Sequence, residues 1–146
     1  MASSEQPVFP LKTRQTARLL NGTHTEVLVT GFRDKILVIV TQYGRIGSLV
    51  YVTVDSLSPT VLAVSPSTTT NVKFLFGSMT SLYQLYASHL ATMIAADNPS
   101  DGRSVVVGLA LKKNGENNDT VDQDEQVGDK ELFEEVVSMV KECRVW

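Results

Sequence analysis

The sequence is poor in the residues that most often mark a site. It has one cysteine, Cys143, which excludes an internal disulfide framework. An acidic neighbour, Glu142, denies that thiol the electropositive surroundings that activate a nucleophile, although Lys141 and Arg144 are near in sequence. Cys143 therefore reads as a packed or half-exposed side chain. The two histidines, His24 and His89, fall on different elements with no carboxylate or cysteine at ligand spacing, so no metal site is expected. G-x-S-x-G, H-E-x-x-H and C-x-x-C motifs are all missing. Ser and Thr are plentiful but fall at turns and in the Pro-rich loop, so no cofactor is expected and an enzyme would need a dispersed site. Long apolar runs are missing too: ILVIV and VVVGLAL are far shorter than the roughly 20 residues that cross a bilayer. No Lys/Arg cluster accompanies the net charge of -3 and the pI near 5.3, which argues against nucleic acid as the main partner. The start, MASSEQPVFP, lacks the basic-then-apolar pattern of a secretory signal, so the cytosol or nucleus is the expected compartment. The sequons at Asn21 and Asn118 then read as a turn and a loop.

What is present is strand-rich. With 146 residues, 42% of them hydrophobic, the chain has the size of one domain, expected over residues 12–146 behind a flexible leader, 1–11. Asn21-Gly22 between two strand-like runs is a strong hairpin signal, since both residues tolerate positive φ. The stretch ILVIVTQYGRIGSLVYVTV, residues 36–54, sets two apolar runs around two glycines. A phosphate loop would lead into a helix, whereas SLVYVTV is strand-like, so Gly44 and Gly47 read as hairpin glycines with Tyr43 and Arg45 at the tip. The first half is thus expected to be an antiparallel meander. Residues 55–71, rich in Ser, Thr and Pro, read as a long loop holding at most a brief strand, before a fifth strand, VKFLFG. Ser78 or Thr80 caps a helix from Ser81 to about Ala96, with Leu82, Leu85, Tyr86, His89, Leu90, Met93 and Ile94 at helical spacing. Asn98-Pro99 ends it. A sixth strand spans 103–112. The acidic stretch 113–128 reads as a flexible loop, without the carboxylate spacing of a calcium loop. Asp129 is then expected to cap a second helix, KELFEEVVSMVKE.

Two strands, ILVIV and RSVVVGLALK, are apolar at both alternating sets of positions, so both of their faces should be covered. The expected fold is α+β: a six-stranded, mostly antiparallel sheet with two main helices on one face and the other face used for dimerisation. In that arrangement Gly108 and Ala110 admit a helix, while Val105, Val107, Leu109 and Leu111 point to a partner sheet. The alternative is that loop 55–71 folds back over the open face.

With its preceding hairpin and terminal CRVW, the run ILVIVTQYGRIGSL resembles the proteasome assembly chaperone 3 family, most specifically in VTQYGRIG and the closing V-W. The resemblance implies a non-enzymatic dimeric factor, paired with a proteasome assembly chaperone 4-like partner or with itself. Such a factor binds α-type subunits while the α-ring of the 20S proteasome is built and leaves before maturation. Tyr43 and Arg45 are the expected client contacts, because aromatic and Arg side chains dominate contact energies, and Trp146 is a further candidate anchor. A generic dimeric protein-binding adaptor and a small-molecule-binding domain are the alternatives.

Overall fold

Asn21 and Gly22 both take positive φ, 50° and 75°, and turn the chain between the first two strands as an Asn-Gly hairpin should. The computed structural model describes residues 11–56, 68–112 and 123–146. Its elements are β1 (Lys12–Leu20), β2 (Thr23–Gly31), β3 (Lys35–Thr41), β4 (Ser48–Ser56), β5 (Thr68–Phe76), α1 (Ser81–Asp97), β6 (Ser104–Ala110) and α2 (Gln123–Glu142). The leader expected at 1–11, all but Leu11, lies outside the described residues, as do the brief strand at 61–64 and the sequon at Asn118.

One sheet holds all six strands in the order β1-β2-β3-β6-β4-β5. Four of the pairings are antiparallel and β3–β6 is parallel. This corrects the expected meander. β4 does not pair with β3, because β6 returns by way of α1 and enters between them. The two strands with apolar residues at both parities, β3 and β6, are therefore central neighbours, where both faces can be covered. Residues 42–47 are an arch over the end of β6 rather than a hairpin tip. They span about 10 Å, twice the strand spacing.

Lateral rows of side chains define the two faces. Arg14, Val29, Val38, Val107, Val50 and Phe74 form one row. The four valines in it are fully buried, together with Tyr86, Leu90 and Ile94 of α1 and Val136, Met139 and Val140 of α2. α1 lies over β4, β5 and β6, and α2 over β1 and β2. Val105, Val107, Leu109 and Leu111 all belong to this core under the helices, which reverses the parity expected for them. The physical reason lies on the other face. Gly108 is small because Ile46 of the arch, not a helix, sits against it: a Cβ there would meet Ile46 Cγ2 at 3.0 Å.

α1 runs one residue past its expected end. The Thr80 side chain accepts from Tyr83 N, and Asn98 is the C-cap before Pro99. Of its seven periodic positions, Tyr86, Leu90 and Ile94 are buried, whereas Leu82, Leu85 and His89 are exposed. α2 begins at Gln123, so Asp129 lies inside the helix rather than at its cap, and 123–128 of the expected acidic loop are helical, while 113–122 lie outside the described residues. An amphipathic run can propagate helix into a neighbouring segment that has no apolar periodicity of its own. β4 and β5 likewise extend to Ser56 and back to Thr68, so both ends of the loop expected at 55–71 are strand, while 57–67 lie outside the described residues.

The connection from α1 to β6 is fastened by Arg103. Its guanidinium donates to both carboxylate oxygens of Asp101, at 2.5 and 2.7 Å, and to the Phe32 carbonyl at 3.0 Å in the β2–β3 turn. The bond from Arg103 holds the Asp101 carboxyl below its ordinary range. A depressed carboxylate contributes stability above its unfolded pKa, about 3.9, and loses it as pH falls through the folded value. Asp101→Asn should therefore be less stable than wild type at neutral pH, with the gap closing below about pH 4 in urea titrations at several pH values. A second expectation concerns the arch. Gly47 has φ 68°, and a Cβ on it would overlap the Leu109 carbonyl and Ala110, whereas Gly44, with φ 70°, faces open space. Gly47→Ala should cost about 3 kcal/mol and Gly44→Ala about 1 kcal/mol in urea unfolding. Equal costs would mean that the arch does not rest on β6.

Candidate protein-interaction site

The arch brings Tyr43 and Arg45 to one end of the sheet, both exposed, in keeping with the expectation that they are displayed. Thr41, the last residue of β3, holds them: its hydroxyl oxygen accepts from the backbone N–H of Tyr43 and of Arg45, each at 3.1 Å. Gln42 N donates to the Ala110 carbonyl and Lys112 N to Gln42 Oε1, both at 2.8 Å, so the arch and the end of β6 are one unit. The Arg45 guanidinium lies 5.0 Å from the centre of the Tyr43 ring, and the Lys112 ammonium 5.5 Å from it. Both distances suit cation–π attraction.

The turn from β5 into α1 meets the same end. Ser48 Oγ accepts from Ser78 N at 3.0 Å and donates to Ser78 O at 3.1 Å. Tyr83 of α1 reaches across to the residue just past β6, where its hydroxyl oxygen accepts from Leu111 N at 3.0 Å. Arch, turn, α1 and α2 enclose a cleft of about 600 Å³. Tyr43, Arg45 and Lys112 stand on one side of it, Leu82, Tyr83 and Tyr86 on another, and Leu132 and Asp129 of α2 complete it. Burial pushes the Tyr86 phenol up to about 12, with Asp129 and Tyr83 adding to the shift, so it stays protonated. Neither Lys112 nor the α1 residues were foreseen as members of this site. They are distant in sequence from Tyr43, and only the position of β6 brings them there.

Trp146 sits elsewhere. Half-buried against the core, it donates from Nε1 to Asp97 Oδ2 at 2.7 Å, and Arg144 Nε reaches the same carboxylate oxygen at 2.9 Å. The terminal segment is thus tied to the end of α1, far along the chain from the arch. Cys143 is buried, and desolvation, then Glu142, pushes its thiol pKa up, away from a reactive thiolate. His89 stacks edge-on against Phe133, with ring centres 4.9 Å apart. Among the described residues, no group of three His, Cys, Asp or Glu side chains is arranged to hold a metal.

The face away from the helices carries two rows. One runs Gln15, Leu28, Ile39, Gly108, Leu49, and the next Thr13, Thr30, Leu37, Val106, Tyr51, Lys73. Leu28, Leu37, Ile39, Val106 and Leu49 are half-buried, forming an apolar centre with polar ends.

The family model described as Proteasome assembly chaperone 3 matches residues 38–143. That span includes the whole arch and β6 and stops before Val145 and Trp146. The proteasome assembly chaperone 3 of Nematostella vectensis is 34% identical over 103 residues, covering 68% of this chain and 74% of the relative. Its human counterpart is 28% identical over 135 residues, covering 92% and 93%. A chain in the crystal structure of a chaperone complex for yeast 20S proteasome assembly shares the fold, with a TM-score of 0.60 at 14% identity over 89% of this chain and 96% of that one. With β4, β5, β6, the arch and both helices inside the matched span, the chain belongs to the proteasome assembly chaperone 3 family.

Proposed function

We propose that the protein is a non-enzymatic chaperone of 20S proteasome assembly that works as half of a dimer, binds α-type subunits while the α-ring forms, and is released before maturation. Beyond the family, the observation that carries the dimer is the open sheet face. Leu28, Leu37, Ile39, Val106 and Leu49 lie side by side on the face opposite both helices. An apolar sheet centre with polar ends suits a second sheet packed about 10 Å away. Its occupant is a proteasome assembly chaperone 4-like partner or a second copy of this chain. The client then meets the other exposed feature, the arch bearing Tyr43 and Arg45. A factor that has to leave is served by a small contact with a polar rim, unlike the broader apolar face that holds a dimer.

The test is capture of the tagged protein from cells, with bound proteins identified by mass. Wild type should bring down α-type subunits and a second small chaperone without mature 20S particles, and the absence of α-type subunits would overturn the reading. In light scattering, Leu37→Asp with Val106→Asp should give a folded monomer, whereas a folded variant that remains dimeric removes the open face as the interface. Trp146→Phe should retain capture and lose about 1 kcal/mol of stability, the value of the hydrogen bond to Asp97. Lost capture at unchanged stability would instead make Trp146 a client contact.

A further inference from the structure

The cleft beside the arch has a chemistry of its own. At its mouth, two cations share one aromatic ring, Arg45 and Lys112 on Tyr43. Among the described residues neither forms an ion pair, although five Lys or Arg contacts to carboxylates occur elsewhere. Asp129 of α2 also lines the cleft, so among the described residues its walls hold two cations and one carboxylate. The concentration of positive charge runs against the chain's net charge of -3. Next to it the surface turns apolar. Leu82 is 47% exposed inside the cleft, Leu85 follows one turn later at 59%, and Met79 precedes them at 72%. Positions three apart on a helix share a face, so Leu82 and Leu85 make one stripe leading out of the cleft. An apolar stripe of large side chains next to a cationic mouth is complementary to one kind of occupant.

We infer that this cleft binds an extended acidic segment of a client polypeptide, placing apolar side chains against Leu82 and Leu85 and carboxylates on Arg45 and Lys112. The inference rests on the chaperone reading for the client's identity and on the cleft alone for its chemistry. Apolar contact supplies the hold. The two rim charges supply selection against basic segments and a salt-sensitive association rate, as exposed charges at an interface do. Because the cations are exposed, each contributes modestly, and the contact stays reversible.

The test measures fluorescence anisotropy of labelled peptides with the full chain: GSDLFDLESG, its basic counterpart GSKLFKLKSG, and GSDSSDSESG, which has no apolar anchors. GSDLFDLESG should bind saturably and the other two at least about tenfold more weakly. Arg45→Glu with Lys112→Glu should weaken GSDLFDLESG about tenfold and favour the basic peptide. Leu82→Asp with Leu85→Asp should abolish the preference for apolar anchors. These side chains are exposed, so the variants should fold. If the charge reversal fails to fold, Arg45→Gln with Lys112→Gln gives the same reading through loss of discrimination between acidic and basic peptides. No saturable binding of GSDLFDLESG below about 1 mM, equal binding of all three peptides, or indifference to the variants would each overturn the inference. Cellular capture separates the two proposals. If Arg45→Glu with Lys112→Glu still captures α-type subunits, the cleft is not the client site and Arg45 is not a client contact, while the assembly role stands. If wild type captures none, the chaperone reading falls, and peptide binding alone decides the chemistry of the cleft.

Discussion

The structure depends on where β6 goes. SVVVGLA has no polar face, so any arrangement that left it at an edge would expose a row of valines. Between β3 and β4 its backbone is paired on both sides, Val105, Val107 and Leu109 lie under the helices, and Val106 and Gly108 lie on the face that Ile46 partly covers. The neighbouring valines Val38 and Val50 are fully buried because β6 completes their row. α1 is the crossover that brings the chain back, and its Tyr86, Leu90 and Ile94 seal what β6 fills.

The same insertion makes the candidate site. Once β3 and β4 are separated by a strand, their connection has to pass over that strand's end, and the arch is held there by bonds from Gln42 and by the close approach of Gly47. A tight hairpin would have displayed Tyr43 and Arg45 on their own. The arch sets them beside Lys112, the residue two positions beyond β6, and opposite the start of α1. Arg45 also borders a second hollow of about 400 Å³ on the open face, lined by Gln15, Leu28, Ile39 and Ile46. The arch therefore stands between the helix-side cleft and the sheet face.

Features governed by local chemistry were legible in the sequence: the Asn21-Gly22 turn, a cap at Ser78 or Thr80, the stop at Asn98-Pro99, and the six strands of the described residues. Strand order was not, because six residues suffice either for a loose hairpin or for an arch across one strand, and no local preference distinguishes them. The parity of β6 was hidden for a related reason. Alternation reveals a buried face only when the other face is polar, and both sets in SVVVGLA are apolar. Gly108 carried the one hint, and it pointed to a close neighbour without saying whether that neighbour was a helix or the arch. The early start of α2 escaped notice because residues 123–128 lack an apolar stripe, and helix extends into them from a segment that has one. Tyr43 and Arg45 could be singled out as exposed, but their cleft partners come from three other elements and left no mark near them.

Two surfaces of different character follow from one strand insertion. The open face is broad, with aliphatic side chains in register across β2, β3, β6 and β4, and flat surfaces of that kind gain from extended burial against a matching sheet. The cleft is narrow, with hydrogen-bonded walls and charges at the mouth, where affinity is capped by the small area and tuned by electrostatics. Because the arch belongs to both, a sheet partner seated over Ile46 would press on the residues that carry Tyr43 and Arg45. Its backbone cannot easily yield: Thr41 fixes its start, and Gly47 fixes its end against β6. With the arch held already within the single chain, a partner seated on the open face would leave Tyr43 and Arg45 in place at the cleft.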